Sequence, residues 1–228
     1  AAAGGQSLSA AVAVFPMSAE VLISGFEPFG GDSRNPSSEA CMALDGHEVE
    51  GCGVRALCLP TAFGAAAKVL LREIARNRPQ LVIATGVAAG RAEITPERFA
   101  LNFADARIAD NRGAQPRERT LIKGAPLAYA STLPVSRIVE ALRAHGIPAS
   151  VSLSAGAYVC NELFFRLRHA LEEQGTVAGF IHLPYASEQV CDRPGTPSLP
   201  LATITQALRV AIEVSLARRP RDRPQLPN

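Results

Sequence analysis

A chain of 228 residues is enough for one α/β domain that buries a sheet between helix layers. Apolar residues make up 47% and aromatics 5%, with no Trp, so Ala, Val, Leu and Ile must build the core. The net charge of +2, with Lys and Arg scattered except near the C-terminus, leaves no footprint for nucleic acid or an anionic membrane surface. No stretch approaches the roughly eighteen apolar residues needed to cross a bilayer.

In chain order, residues 1–19 are Ala/Gly/Ser-rich and read as a loosely held N-terminal extension. Met17 before Ser-Ala-Glu reads as a natural start. Val21–Ser24 is a buried-strand run ending in the Gly-rich turn Gly25–Gly31. Asn35 then caps a helix with Pro36 at its first position. Val54–Leu59 reads as a strand, and Thr61–Arg76 as a helix with Ala62, Ala66, Val69, Leu70 and Ile74 on one face. The uninterrupted apolar run Leu81–Thr85 fits a central strand covered on both faces. Residues 86–125, rich in Gly, Arg, Asp and Asn, form an excursion too long for a mere connector.

Regular pattern resumes with a helix over Pro134–His145, stopped by Gly146. A strand over Ala149–Leu153, a helix over Val159–Glu173, a strand over Ala178–Leu183 and a helix over Ser198–Arg218 follow. The tail 219–228, with two prolines and no pattern, is expected to be disordered. These elements predict a single α/β domain over 20–218: a three-layer α/β/α sandwich with a mostly parallel twisted sheet. Ligands of such sheets bind beyond the carboxyl ends of the strands. The segments after the first, third and last long strands, and Ser154–Cys160, should therefore crowd one rim.

Five cysteines, at 41, 52, 58, 160 and 191, are an odd count without framework spacing, which points to a reducing, cytoplasmic compartment. There is no C-x-x-C pair or zinc-spaced His–Cys cluster, and the glycines fit neither dinucleotide nor P-loop spacing. No metal or cofactor is expected. Cys41 and Cys58 read as packing residues, while Cys52 and Cys191 lie in loop-like stretches. Cys160 differs, because Ser154-Ala155-Gly156-Ala157-Tyr158-Val159-Cys160-Asn161 leads a small-residue loop straight into a helix. Orphan N–H groups and the helix dipole there favour a thiolate, the nucleophilic form. His182, near the carboxyl end of its strand, is the candidate base, against the alternative of a buried histidine satisfied by backbone. Glu97 in Ile94-Thr95-Pro96-Glu97-Arg98 either orients that histidine or pairs with Arg98 in solvent. Phe26 and Phe29 either cover the core or wall an apolar ligand pocket.

Four segments together resemble the pyroglutamyl peptidase I family of cysteine peptidases: Gly25-Phe26-Glu27-Pro28-Phe29-Gly30-Gly31 with Asn35-Pro36; Gly90-Arg91 through Ile94–Arg98 to Asn102 and Asp105–Ile108; Ser154–Asn161; and Gly179-Phe180-Ile181-His182-Leu183-Pro184. The resemblance covers about residues 20 to 217. It implies Cys160 as nucleophile, His182 as base and Glu97 as orienting acid. Arg107 and the Cys160 backbone N–H would stabilise the oxyanion, and Phe26, Phe29, Ile108, Tyr158 and Val159 would enclose a pyrrolidone ring. It also implies a pyroglutamyl-peptide substrate and a homotetramer. Val87 stands where relatives often carry Gln, Ala157 where Thr is common, and Tyr158 where Phe is frequent. Two alternatives are a nucleoside phosphorylase-like enzyme, which shares a related α/β architecture, and a non-catalytic peptide-binding homologue.

Overall fold

The computed structural model describes residues 21–217; the expected extension at 1–19 and tail at 219–228 lie outside the described residues. The chain runs through β1 (Val21–Phe26), α1 (Pro36–Met42), β2 (Glu48–Val49), β3 (Cys52–Leu59), α2 (Ala65–Asn77), β4 (Leu81–Val87), β5 (Thr95–Pro96) and β6 (Phe99–Leu101). It continues through β7 (Ala128–Ala130), α3 (Val135–Ala144), α4 (Val159–Ala170), β8 (Val177–Leu183), β9 (Tyr185–Ala186), β10 (Ser198–Leu199) and α5 (Leu201–Leu216).

The main sheet has the order β2-β3-β1-β4-β8-β5, with β3, β1, β4 and β8 mutually parallel and the two short edge strands antiparallel. Alternation along the strands divides the core in two. Val21, Ile23, Leu81, Ile83, Ile181 and Leu183 face α1, α3 and α5. Leu22, Val82, Ala84, Ala178 and Phe180 face α2 and α4. This is the expected three-layer single domain. Gly25 lets the first helix close on the sheet, since a Cβ there would lie 2.2 Å from the Ser37 backbone. Asn35 caps α1, its Oδ1 accepting from Ser37 N at 3.0 Å.

Several boundaries differ from the sequence reading. The segment Ala149–Leu153 is extended chain beside 94–98 rather than a strand. Ile94 N meets Pro148 O at 2.9 Å, Ser152 N meets Pro96 O at 3.0 Å, and Arg98 N meets Ser152 O. Between those bonds stands Pro96, with no N–H to give, so the ladder breaks into isolated bridges. Helix α2 begins at Ala65 rather than Thr61, because Phe63 N and Gly64 N donate to the Asp110 and Glu162 carboxylates (2.8 and 2.6 Å) instead of continuing a helix. The last helix starts at Leu201, its N–H meeting the Glu188 carboxylate, after Ser198–Leu199 has paired as β10. Helix α4 ends at Ala170. Cys58, expected in the packing, is exposed, whereas Cys52, expected in a loop, is buried at the start of β3.

Candidate active site

Cys160 is the second residue of α4, with Tyr158 as N-cap, so its backbone N–H has no partner within the helix. His182 is the sixth residue of β8, cross-strand from Gly86 on β4 and from Thr95 on β5. Gly86 is where the two meet. A Cβ built on it would stand 2.8 Å from Cys160 Sγ and 3.0 Å from the Phe180 ring, so a bare α-carbon makes room for the thiol.

His182, 4% exposed, meets fully buried Glu97 through Nδ1 and Oε1 at 2.7 Å. The carboxylate can only accept, so Nδ1 carries the proton and Nε2 presents its lone pair. The same Oε1 accepts from Arg91 Nη1 at 2.8 Å, and that nitrogen also meets Thr95 Oγ1. Among the described residues Glu97 Oε2 has no hydrogen-bond partner; the Ser152 hydroxyl is turned to the Ser154 carbonyl at 3.2 Å. Glu97 therefore faces inward to the histidine, and the surface pair with Arg98 does not form.

Burial pushes the Glu97 carboxyl up, but the hydrogen bond from His182, the charge that this imidazole carries once protonated, and Arg91 hold it below the ordinary carboxylate range. Burial lowers His182 further than Glu97 raises it, so its imidazole is neutral near pH 7. The thiol departs from expectation. Burial, then the Glu97 charge, push Cys160 up to about 12, against the pull of its own backbone N–H and of Arg91. The resting pair is thus a neutral thiol and a neutral imidazole. The helix N-terminus does not by itself ionise a sulfur enclosed by Gly86 and Phe180.

Cys160 and His182 open into a pocket of about 110 Å³. Phe26 at the end of β1 and Phe29 in the turn after it line this pocket together with Tyr158, Val159 and Ala155. Val87, Asn35 and Thr61 complete it. Phe29 and Phe63 both pack on Tyr158, at ring centroid separations of 6.2 and 5.5 Å. Arg107 and Ile108 stand exposed on the segment between β6 and β7, outside this lining. That segment is tied to the pocket mouth: Tyr158 Oη donates to Ala109 O at 3.1 Å, and Asn111 bonds Glu27, Pro28 and Thr61. Among the described residues no cluster of His, Cys, Asp or Glu is arranged to hold a metal ion.

Sequence reasoning missed Arg91, Gly86, Asn35, Thr61 and Ala155 as parts of this site. Arg91 and Asn35 lay within the motif segments, but nothing in spacing alone aims the first at Glu97 or opens the second, a helix cap, to a ligand.

A family model described as pyroglutamyl peptidase matches residues 19–218. Pyrrolidone-carboxylate peptidase 1 of Ralstonia nicotianae is 48% identical over 201 residues, covering 87% of this chain and 94% of that protein. Its counterpart in Pectobacterium carotovorum is 49% identical with the same coverage. Among solved structures, pyroglutamyl peptidase I from Bacillus amyloliquefaciens superposes with a TM-score of 0.83 at 42% identity, covering 87% of this chain and 97% of that one. Pyrrolidone carboxyl peptidase from Thermococcus litoralis gives 0.85 at 40% identity, covering 91% and 99%. Neither the phosphorylase-like nor the non-catalytic alternative gains support from these matches. With the fold, the buried His182–Glu97 pair and the pocket beside Cys160 in view, the chain belongs to the pyroglutamyl peptidase family.

Proposed function

We propose that this chain is a cysteine omega peptidase that hydrolyses the amide bond after an N-terminal pyroglutamyl residue, through a thioester on Cys160. One observation carries the reading: His182, fixed by Glu97 at 2.7 Å, shares a small, largely apolar pocket with a thiol at a helix N-terminus.

His182 Nε2 takes the Cys160 proton as Sγ attacks the carbonyl carbon. Because the thiol rests neutral, proton transfer and attack go together rather than from a preformed ion pair. The tetrahedral oxyanion is met by the Cys160 N–H, and Arg107 approaches from the tethered segment; losing one such donor costs about 10²–10³ in rate. The imidazolium gives its proton to the departing amine as the C–N bond breaks, leaving the thioester. Water, deprotonated by His182, then releases pyroglutamate and restores the thiol. Glu97 holds the imidazole tautomer and stabilises its cation.

The pocket suits a neutral, flat ring without an α-ammonium. Thr61 Oγ1 and Asn35 Nδ2 both donate to Glu27 O, at 2.9 and 3.0 Å. Asn35 Oδ1 is filled by Ser37. Among the described residues this leaves the Thr61 lone pairs and the second Asn35 N–H unspent: an acceptor and a donor anchored on the same Glu27 carbonyl, as a lactam N–H and C=O require. With Val87 in the wall, these two groups carry the polar recognition. Phe26, Phe29, Tyr158 and Val159 enclose the ring, and Ile108 closes over it from the same segment as Arg107. Prolyl substrates lack the lactam carbonyl and bring a charge, so the pocket rejects them by about 10⁴.

We assign the protein to the cytoplasm, which its five free cysteines support. We assign it a homotetrameric state, which the resemblance to the family implies; light scattering gives the mass. A pyroglutamyl amide reporter should be cleaved and the prolyl reporter left intact. Cys160→Ser should keep the native circular dichroism and lose at least about 10³-fold in kcat/KM. Activity surviving in that variant sinks the assignment.

A further inference from the structure

We infer that Arg91 is a positioning residue of this reaction: from the loop after β4 its guanidinium keeps the Glu97 carboxylate ionised and aimed at His182, and so fixes the acid limit of activity. The inference rests on reading Cys160, His182 and Glu97 as the catalytic triad.

Glu97 has no exposed surface, and a buried carboxyl without charged company takes up a proton. A neutral His182 supplies a hydrogen bond but no charge. The permanent charge within reach belongs to Arg91, at 2.8 Å from the very oxygen that receives His182 Nδ1. Arg91 is itself held. Its Nη1 also meets Thr95 Oγ1, and Thr95 is the residue paired across the sheet with His182. With its side chain 30% exposed against a fully buried partner, this is no freely solvated ion pair.

The same cation opposes imidazolium formation. The charged groups acting on His182 are Glu97, from the β5 side, and Arg91, from the loop after β4; the Cys160 thiol shares the pocket from α4, and the Phe180 ring packs at 4.8 Å. Removing the Arg91 charge therefore makes both Glu97 and His182 easier to protonate, and either change moves the acid limb of kcat/KM to higher pH.

The test compares that limb in the whole enzyme, with a pyroglutamyl amide reporter, for Arg91→Gln and Arg91→Lys. Arg91→Gln, which can still donate a hydrogen bond, should shift the limb upward by about one pH unit. Arg91→Lys, which keeps the charge, should leave it with the parent. NMR titration of the His182 imidazole gives the same reading where activity is too low. An unmoved limb in folded Arg91→Gln, or equal displacement in both variants, overturns the inference. If Arg91→Gln does not fold, Arg91→Lys decides alone, since a displaced limb there is fatal. Failure of the triad reading shows differently, as activity retained by Cys160→Ser.

Discussion

A bare α-carbon at Gly86 is what allows a thiol from a helix and an imidazole from a strand to share one pocket. It is paired with His182 across the sheet, and any Cβ would lie 2.8 Å from Cys160 Sγ. Gly86→Ala must displace either the sulfur or the Phe180 ring beneath it. We expect a fall of about 10²-fold or more in kcat, as for other small misplacements of a reacting group. KM should change much less, because the ring-binding walls are elsewhere, and a parent-like kcat would contradict the geometry. At this scale the grouping of Cys160, His182 and Glu97 at one place was legible because motif and chemistry agreed. Gly86 and Arg91 were not, since a cross-strand partner and a shared oxygen leave no periodic trace. The ionisation of Cys160 was misjudged for a related reason. The helix terminus is visible in sequence, while the enclosure that outweighs it is not.

Among the elements, the strands buried on both faces were the most readable. Val21–Phe26, Leu81–Val87 and Val177–Leu183 are apolar runs that need no partner information to identify. The short pairs β6–β7 and β9–β10 are two or three residues long, too brief for a period to register. Pro96 separates composition from outcome: Ala149–Leu153 has the makings of a strand, but its neighbour lacks the N–H that would complete the ladder. The start of α2 was lost to carboxylates remote in sequence. Asp110 and Glu162 draw Phe63 N and Gly64 N out of helical bonding, and this turn brings Thr61 into the pocket. The excursion at 86–125, read from its length and its Gly, Arg, Asp and Asn content as more than a connector, is stitched to the pocket mouth through Asn111 and Tyr158.

For the whole molecule the buried titratable groups set a window of stability. Burial pushes Cys41 and Cys160 each up to about 12, from an ordinary 9.0. The folded state therefore keeps protons that the unfolded chain releases, and stability is lost as pH rises above about 9. On the acid side, burial holds His182 below 6.5, so the unfolded chain binds the proton first and stability falls as pH drops below that value. Melting temperature should decline between about pH 8 and pH 10, with a shallower decline in Cys41→Ala; an identical slope in that variant would refute this source of alkaline sensitivity.

The central chemistry is tested most directly by trapping the acylated protein. Rapid acid quench of turnover on a pyroglutamyl substrate, followed by peptide mass mapping, should find the pyroglutamyl group on Cys160 and on no other cysteine. A group carried by another residue, or turnover with no acyl-enzyme while Cys160→Ser stays active, would contradict the account.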